Sequence, residues 1–198
     1  MTTRIIFPHR IRNGGISPIK FRTFSLLSSI SLSFSSIVNC PLLNIEEIHL
    51  KELVSDSYVD VVERYAEKNP DFMVDDSGVS CSIQSDGVLI ERIVKNLLEN
   101  ALKYSDEGVR IIVKLRNGET DFEISIEDTG WGIPKAAIKK LGRQFYRVEQ
   151  KGKAQQPGYG IGLASVKFLC SMLGGELSVS SEEGKGSIFT VKLKNYRP

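Results

Sequence analysis

The most constraining feature of the sequence is a pair of alternating apolar segments joined by an Asn-Gly pair within residues 108–128. In "GVRIIVKLRNGETDFEISIED", Phe122, Ile124 and Ile126 lie on one side of the second segment, and charged or hydroxyl residues lie on the other. An Asn-Gly pair between two such segments strongly favours a tight antiparallel hairpin. The chain is therefore expected to contain an antiparallel sheet with one apolar face that a second layer must cover.

The segments around this hairpin show helical and extended patterns in turn. In chain order, the patterns predict helix 49–69, strand 79–84, helix 86–104 with Asp86 as its N-cap, the hairpin, a short helix near 135–141, a helix at 163–173 and two strands within 176–193. Residues 151–158, rich in Lys, Gln, Gly and Pro, are predicted to form a loop. This order predicts an α+β fold: a two-layer α/β sandwich whose mixed, mostly antiparallel sheet is covered on one face by helices.

The composition is typical of a soluble globular domain. The 198 residues are 41% hydrophobic and 25% charged, and the formal net charge of +2 gives no reason to expect a nucleic acid or acidic lipid partner. The three cysteines, Cys40, Cys81 and Cys170, are odd in number and lack C-x-x-C spacing. This pattern argues against a disulfide framework or a zinc site and fits a reducing compartment.

The N-terminal segment differs in composition from the rest of the chain. No acidic residue precedes Glu46, and residues 1–22 contain five Lys or Arg residues. Residues 24–38 are Ser-rich and apolar. An organellar transit peptide and a signal or anchor segment are both compatible with this pattern, although the apolar run is short and diluted by Ser for a membrane span. We favour a poorly structured extension or remnant over residues 1–44, followed by one domain over residues 45–198.

Polar residues form a stripe along the predicted helix 86–104. At about 100° per residue, Arg92, Asn96, Asn100 and Lys103 fall on one narrow strip of its surface. Amide oxygens can coordinate a hard cation such as Mg²⁺, and an ammonium group can contact phosphate. Taken alone, however, the stripe is also what the solvated face of any amphipathic helix shows.

Two glycine-containing segments downstream favour a ligand site. "DTGWGI", residues 128–133, places Asp128 beside Gly130 and Gly132, so that a carboxylate and closely approaching backbone can meet a flat ligand. "GYGIGL", residues 158–163, precedes a predicted helix, whose first N–H groups can contact phosphate. Either segment by itself is weak evidence, and the second is not a dinucleotide fingerprint because it follows a loop.

Together, these segments resemble the ATP-binding catalytic domain of sensor histidine kinases, a member of the GHKL superfamily. "NLLENALKYS" resembles the N box, "DTGWGI" the G1 box, "RQFYRVE" the F box, "GYGIGL" the G2 box and "GKGSIFTVKL" the final hairpin. The resemblance covers roughly residues 45–194. It implies the Bergerat-type α/β sandwich, in agreement with the predicted order of elements, and it implies ATP and Mg²⁺ as cofactors.

The resemblance also implies roles for individual residues. Asn100 resembles the Mg²⁺ ligand, supported by Asn96, and Lys103 and Tyr104 would lie near phosphate and nucleotide. Asp128 resembles the residue that reads the adenine amino group. The remaining residues implied in nucleotide binding are Gly130, Gly132 and Ile133 in the G1 box, Phe145 and Arg147 at the lid edge, Gly158, Gly160, Gly162 and Leu163 in the G2 box, and Thr190 near adenine.

One position of the N box bears on mechanism. In the hydrolysing GHKL ATPases the position of Asn96 is a Glu that activates water, and an amide cannot act as a general base. The resemblance therefore implies a site that holds Mg-ATP intact for attack by a nucleophile from elsewhere, with slow intrinsic hydrolysis. Glu99, beside Asn100, is a candidate base for the incoming nucleophile.

The histidine that would receive the phosphoryl group is not evident. His49 is expected at the surface, and His9 in "HRIRNGG" only faintly resembles the family's acceptor motif, with Gly14, Gly15 and Pro18 interrupting any helix there. The implied partners are ATP/ADP, a dimerisation domain that carries the acceptor histidine and a response regulator, with no nucleic acid. Membrane contact is expected only if the N-terminal segment is an anchor, and the expected location is the cytoplasm or the cytoplasmic part of a membrane-bound sensor kinase.

Two alternative functions remain open at this point. An anti-sigma-type kinase lacks its own acceptor histidine and phosphorylates serine on a protein partner. A non-enzymatic module would only bind nucleotide and respond to it.

Overall fold

The computed structural model describes residues 3–4, 42–76, 82–148 and 156–196. Its elements are β1 (Thr3–Arg4), β2 (Glu46–His49), α1 (Leu50–Val62), a 3₁₀ turn (Glu63–Lys68), β3 (Asp71–Asp75), β4 (Ser82–Ser85), α2 (Gly87–Lys103), β5 (Arg110–Asn117), β6 (Asp121–Asp128), α3 (Lys135–Ile138), α4 (Gly162–Met172), β7 (Glu176–Glu182) and β8 (Gly186–Lys194). All of them belong to one compact unit.

The main sheet has the strand order β1-β3-β5-β6-β8-β7. Its pairs are antiparallel except β3 with β5, and β2 and β4 form a separate antiparallel pair. The predicted hairpin is present as β5 and β6, and Phe122, Ile124 and Ile126 are buried. Together with the helices packed on this apolar face, the sheet confirms the predicted α+β sandwich.

Helix α2 is the centre of the helical layer and follows the prediction closely. The Asp86 side chain caps it, with Oδ1 accepting a hydrogen bond from the Leu89 N–H at 3.1 Å. Ile93, Val94 and Leu97 are fully buried. This apolar face packs between α1 and α4, so the polar stripe on α2 is held at a fixed position at the edge of the helical layer.

The first helix is shorter than predicted. Helix α1 ends at Val62 and a 3₁₀ turn follows, because Tyr65 leaves the helical region with φ −131°. The side chains of this turn then reach α2: the Tyr65 hydroxyl donates to Glu99 Oε1 at 3.3 Å. The predicted helix 49–69 is therefore confirmed from Leu50 to Val62. The residues after Val62 form a turn that contacts α2 through Tyr65.

The pattern of strands was only partly predicted. Strand β3 was missed, although Phe72 and Val74 are buried and the strand pairs in parallel with β5. Strand β2 was also missed, and the predicted strand 79–84 is seen as Ser82–Ser85, its first three residues lying outside the described ones.

The predictions made for the N-terminal segment 1–44 fall almost entirely outside the described residues, which there are only 3–4 and 42–44. In the part of the chain that the structure describes, no helix has the length and apolar character needed to cross a membrane.

Candidate functional site

Asp128 is a buried carboxylate at the end of β6, only 7% exposed. Its Oδ1 accepts a hydrogen bond from the Gly130 N–H at 2.8 Å, and the Ser187 N–H also donates to the carboxylate. Burial raises the pKa of Asp128 from 3.8 to about 6, while the two backbone hydrogen bonds act in the opposite direction. The group is an ionised acceptor at neutral pH, suited to a ligand that donates a hydrogen bond.

The two glycines after Asp128 are required by close backbone contacts. A Cβ atom on Gly130 would lie 2.6 Å from the Tyr104 carbonyl oxygen, and one on Gly132 would lie 1.9 Å from the Glu182 carbonyl oxygen. Gly132 also has φ +68°, a backbone angle that residues other than glycine rarely adopt. The G1 segment therefore lies directly on the backbone of β7 on one side and on the end of α2 on the other.

Two serines near Asp128 were not predicted as site residues. Ser187 is opposite Asp128 in the β6–β8 ladder, and Ser181 on β7 accepts a hydrogen bond from the Ile133 N–H at 2.8 Å. Ser181 Oγ and Ser187 Oγ are 3.0 Å apart. The residues "GKGS" before the last strand were noted only as part of the final hairpin, and only strand register reveals the neighbour of Asp128.

Tyr104 and Trp131 connect the end of α2 to the G1 segment. The Trp131 N–H donates to the Tyr104 carbonyl oxygen at 2.9 Å, and the two rings meet edge to face with centroids 6.2 Å apart. The indole Nε1 of Trp131 donates to Asp106 Oδ1 at 2.9 Å. Tyr104, a predicted site residue, thus lies beside Asp128 and its glycines.

The polar stripe of α2 faces the start of α4. Asn96 and Asn100 are half-buried, and the Asn96 Nδ2 group donates to the Arg92 carbonyl oxygen at 2.8 Å. Asn96 Oδ1 would lie 3.0 Å from a Cβ atom on Gly162, the first residue of α4. The structure therefore brings the predicted N-box and G2-box residues together.

Lys103 lies where the stripe meets the G2 segment. Its Nζ would be 2.6 Å from a Cβ atom on Gly158, and it is 5.5 Å from the centre of the Tyr104 ring. Burial lowers the pKa of Lys103; the charge of Glu99 raises it and that of Arg147 lowers it further. Two cations, Lys103 and Arg147, therefore lie close to one loop, an arrangement that favours an anionic ligand.

Arg147 and Phe145 join the F box to the G2 box. The Arg147 guanidinium donates through Nη1 to the Gly158 carbonyl oxygen at 3.0 Å and through Nη2 to the Gln156 carbonyl oxygen. Phe145 has φ +64°, donates its N–H to the Gly160 carbonyl oxygen at 3.1 Å and is 70% exposed. Here Arg147 contacts backbone carbonyls, so its predicted contact with phosphate requires a change of partner.

Helix α4 presents its first turn to the same region. Gly162 and Leu163 open the helix, and the N–H groups of a first helical turn have no acceptor within the helix. Such a turn carries a partial positive charge and suits phosphate oxygens. The predicted phosphate-side residues therefore surround the end of the α2 stripe.

Glu99 is engaged with the 3₁₀ turn after α1. Its Oε1 accepts from the Tyr65 hydroxyl and lies 3.5 Å from Arg64 Nη1. Burial and the Glu99 charge raise the pKa of Tyr65 to about 12, so the tyrosine stays a hydrogen-bond donor. Glu99 is adjacent to the stripe, and its role as a base would require it to leave these two partners.

Thr190, which the resemblance implies near adenine, lies on the last strand beside Ser125. Thr190 is opposite Ser125 in the ladder, and their hydroxyl oxygens are 2.8 Å apart. Because side chains alternate along a strand, these two residues lie on the sheet face opposite to Asp128 and Ser187. The resemblance placed Thr190 on the correct hairpin, but the residue on the Asp128 side is Ser187.

The donors present fit a hard cation bound through few protein atoms. Among the described residues, no group of three His, Cys, Asp or Glu side chains could hold a metal ion. Asn100 offers an amide oxygen on the half-buried stripe, next to the cationic phosphate-side residues. Mg²⁺ commonly takes one or two protein oxygens together with phosphates and water, so Asn100 fits as such a ligand.

Comparison with known proteins identifies the family. The family model of histidine kinase-, DNA gyrase B- and HSP90-like ATPases matches residues 85–197. The chain is 37% identical over 111 residues to the aerobic respiration control sensor protein ArcB of Escherichia coli K12, and 36% identical over 118 residues to its sensor histidine kinase RcsC; these matches cover 55% and 60% of the chain. They cover only 14% and 12% of those two relatives.

Solved structures show the same fold. The mycobacterial sensor histidine kinase MprB matches with a TM-score of 0.66 at 29% identity, covering 77% of this chain and 99% of that one. The catalytic domain of histidine kinase ThkA matches with a TM-score of 0.66 at 22% identity, covering 76% and 97%. The chain thus belongs to the family of histidine kinase-, DNA gyrase B- and HSP90-like ATPases, with a catalytic ATP-binding domain of the sensor histidine kinase type.

Proposed function

We propose that residues 45–198 hold Mg-ATP for transfer of its terminal phosphoryl group to a histidine carried by another domain. The observation that carries the proposal is the convergence of an acceptor pocket at Asp128 and a cationic, amide-lined wall at Asn96, Asn100 and Lys103. The wall runs along α2 from Asn96, in the middle of the helix, to Lys103 at its end, and Tyr104, the next residue, contacts the G1 segment that follows Asp128. Such a spacing suits a ligand with a flat base at one end and phosphates at the other.

Each residue has a distinct part in this proposal. Asp128 accepts a hydrogen bond from the adenine amino group, and Asn100 supplies an oxygen to Mg²⁺, which would screen the phosphate charge. Lys103, Arg147 and the first turn of α4 neutralise the phosphates. Asn96 supports this wall as an amide and provides no general base for water. We therefore expect ATP to be bound stably and hydrolysed slowly.

The acceptor histidine has to come from outside the described domain. His49 is exposed, ends β2 and directly precedes α1, and His9 is outside the described residues. The proposed partners are a dimerisation domain with the acceptor and a response regulator that is phosphorylated from it, both in the cytoplasm.

An exposed apolar surface next to the phosphate end is the proposed contact for the acceptor domain. Phe145, Tyr159 and Phe168 are 70%, 80% and 63% exposed, and Ile161 is 38% exposed. Large apolar side chains exposed together are typical of an interaction surface. Ile161, the N-cap of α4, and Phe168, within α4, are seven residues apart, so they lie on one side of that helix.

The test is transfer of radiolabelled phosphate from ATP to a separately purified acceptor hairpin. We expect acid-labile label on the hairpin, strict dependence on Mg²⁺, and loss of transfer in Asn100→Ala. Phe168→Ser is expected to lower transfer about tenfold without changing nucleotide affinity, whereas Val59→Ser, on an exposed position of α1, leaves both unchanged.

Other outcomes separate the alternatives. Acid-stable label would indicate a serine kinase, and nucleotide binding without transfer to any acceptor would indicate a binding module. ATP turnover by the isolated chain at the rate of gyrase-type ATPases would contradict the proposed role of Asn96.

A further inference from the structure

Ser181 is a junction of three hydrogen bonds beneath the G1 segment. Its hydroxyl donates to the Gly186 carbonyl oxygen at 2.8 Å and accepts from the Ile133 N–H at 2.8 Å. Its third partner is the Ser187 hydroxyl at 3.0 Å. A serine hydroxyl has one proton and two acceptor lone pairs. Because the proton of Ser181 goes to Gly186, Ser187 must be the donor in the pair of serines.

This arrangement fixes the direction of the Ser187 hydroxyl. With its proton directed to Ser181, Ser187 Oγ has only lone pairs left for any other partner. Ser187 is opposite Asp128 in the β6–β8 ladder, so the two side chains lie side by side on the same face, and each is 7% exposed. The carboxylate and the adjacent hydroxyl therefore both present acceptors.

Ser181 also holds the G1 segment in place. Its bond to the Ile133 N–H lies next to Gly132, whose backbone packs against the Glu182 carbonyl oxygen. Its bond to Gly186 lies next to the point where a Cβ on Gly186 would be 1.9 Å from the Asp128 carbonyl oxygen. One hydroxyl thus connects the segment after Asp128 to the hairpin beside Asp128.

We propose that Ser181 is a positioning residue that makes the base pocket select a hydrogen-bond donor, and hence adenine over guanine. The inference rests on the proposed nucleotide function and adds the origin of base selectivity. Adenine carries an amino group at the position where guanine carries a carbonyl oxygen. A pocket that presents only hydrogen-bond acceptors binds the adenine amino group and repels the guanine carbonyl oxygen. Without Ser181, the Ser187 hydroxyl is free to rotate and donate, and the G1 segment loses one anchor.

The test compares the affinities of the full chain for ADP and GDP. Binding is monitored by the fluorescence of the single tryptophan, Trp131, which lies beside Tyr104. In Ser181→Ala we expect ADP affinity to fall about tenfold and GDP affinity to change less than about twofold, which shrinks the selectivity ratio. Ser181→Thr keeps the hydroxyl and restores the ratio to within about twofold of the wild type. Ser180→Ala, at the neighbouring exposed position of β7, is the matched control and changes neither affinity.

A selectivity ratio in Ser181→Ala equal to that of the wild type would overturn the inference, as would equal losses of ADP and GDP affinity, since a merely structural role weakens both alike. If Ser181→Ala does not fold, Ser181→Cys provides the test, because a thiol is nearly the same size and a much weaker donor and acceptor. It is expected to lower the ratio, and an unchanged ratio overturns the inference. A wild-type chain that binds neither nucleotide would instead remove the proposed function itself.

Discussion

At the proposed adenine end of the site, glycine residues lie directly on the backbone of adjoining strands, whereas at the proposed phosphate end two long cationic side chains reach a loop. Asp128 and Gly132 are held by the β6–β8 ladder and by the backbone of β7. Lys103 and Arg147 instead approach Gly158 through long side chains. The first end is fixed by the fold before any ligand arrives, and the second can rearrange its side chains around phosphate at little cost.

The strongest test of this difference between the two ends is the substitution Gly132→Ala. The new Cβ would meet the Glu182 carbonyl oxygen at 1.9 Å with φ at +68°, and backbone cannot move aside as a side chain can. We expect the free energy of unfolding to fall by roughly 3–5 kcal/mol, measured by urea denaturation.

Two other glycines serve as controls for Gly132→Ala. Gly184→Ala has a similar φ of +82° but nothing within 4 Å, so it is expected to cost about 1 kcal/mol. Gly158→Ala meets only the flexible end of Lys103 but has φ +141°, which other residues rarely adopt, so it is expected to cost about 1–3 kcal/mol. A loss at Gly158 equal to that at Gly132 would contradict the difference between the two ends.

The second largest effect is expected from Asp128→Asn. The Gly130 N–H, which donates to Oδ1 of Asp128, will keep the amide oxygen as its acceptor, so we expect the NH₂ group to face the adenine amino group, donor against donor. We expect nucleotide affinity to fall about 100-fold by calorimetry. At pH 7.5 the free energy of unfolding of the same variant is expected to be roughly 1–3 kcal/mol higher than that of the wild type. The reason is that the variant no longer buries a charged group whose pKa is raised from 3.8 to about 6. A loss of stability together with affinity would contradict this assignment.

The pH dependence of the wild type gives the third test. With a folded-state pKa raised to about 6, Asp128 contributes stability that is present below pH 3.8 and lost as the pH rises through about 6. Affinity runs in the opposite direction, since only the ionised form accepts the amino group. We expect ADP to bind about tenfold more weakly at pH 5 than at pH 7.

The pH test has two controls. Asp128→Asn should show little change in affinity over this range, and Asp56→Asn, at an exposed position of α1, should behave as the wild type. The same pH profile in Asp128→Asn and in the wild type would assign the effect to the nucleotide.

The smallest effect is expected at the phosphate end, from Arg147→Met. Loss of the guanidinium removes its two contacts to Gly158 and Gln156 and one phosphate cation. We expect ATP affinity to fall about fivefold while adenosine affinity is unchanged. Arg143→Met, an exposed arginine on the same segment, is the control. An equal loss of adenosine affinity would mean that Arg147 supports the whole site and not only its phosphate end.

The parts of the fold that were predicted are those with strong local patterns. The β5–β6 hairpin has alternation and an Asn-Gly turn, and α2 has a cap and a complete apolar face. Strand β3 was missed because "DFMVD" is short, begins and ends with Asp, and pairs in parallel with a strand far along the chain. The segment becomes a strand through its pairing with β5, and the local sequence alone does not indicate that pairing.

The site shows the same limit at the level of single residues. Asp128 and its glycines were predicted because "DTGWGI" resembles the G1 box and comes in order with the other segments of the family. Ser181 and Ser187 were missed, and Thr190 was the hairpin residue predicted, because serines and threonines occur all along β7 and β8. Which of them face Asp128 depends on register, and a shift of one residue exchanges the two faces of a strand.

The pairing of Asp128 with Ser187 also sets the order in which the domain can become functional. The two residues are far apart in the chain, and the last hairpin, β7 and β8, lies under the proposed base pocket. During synthesis, α2 and the G1 segment emerge before that hairpin exists, so Gly132 has no β7 backbone to lie on. A growing chain therefore gains its base pocket only when its final strands dock, and ADP added to chains halted before β8 should fail to protect them from proteolysis.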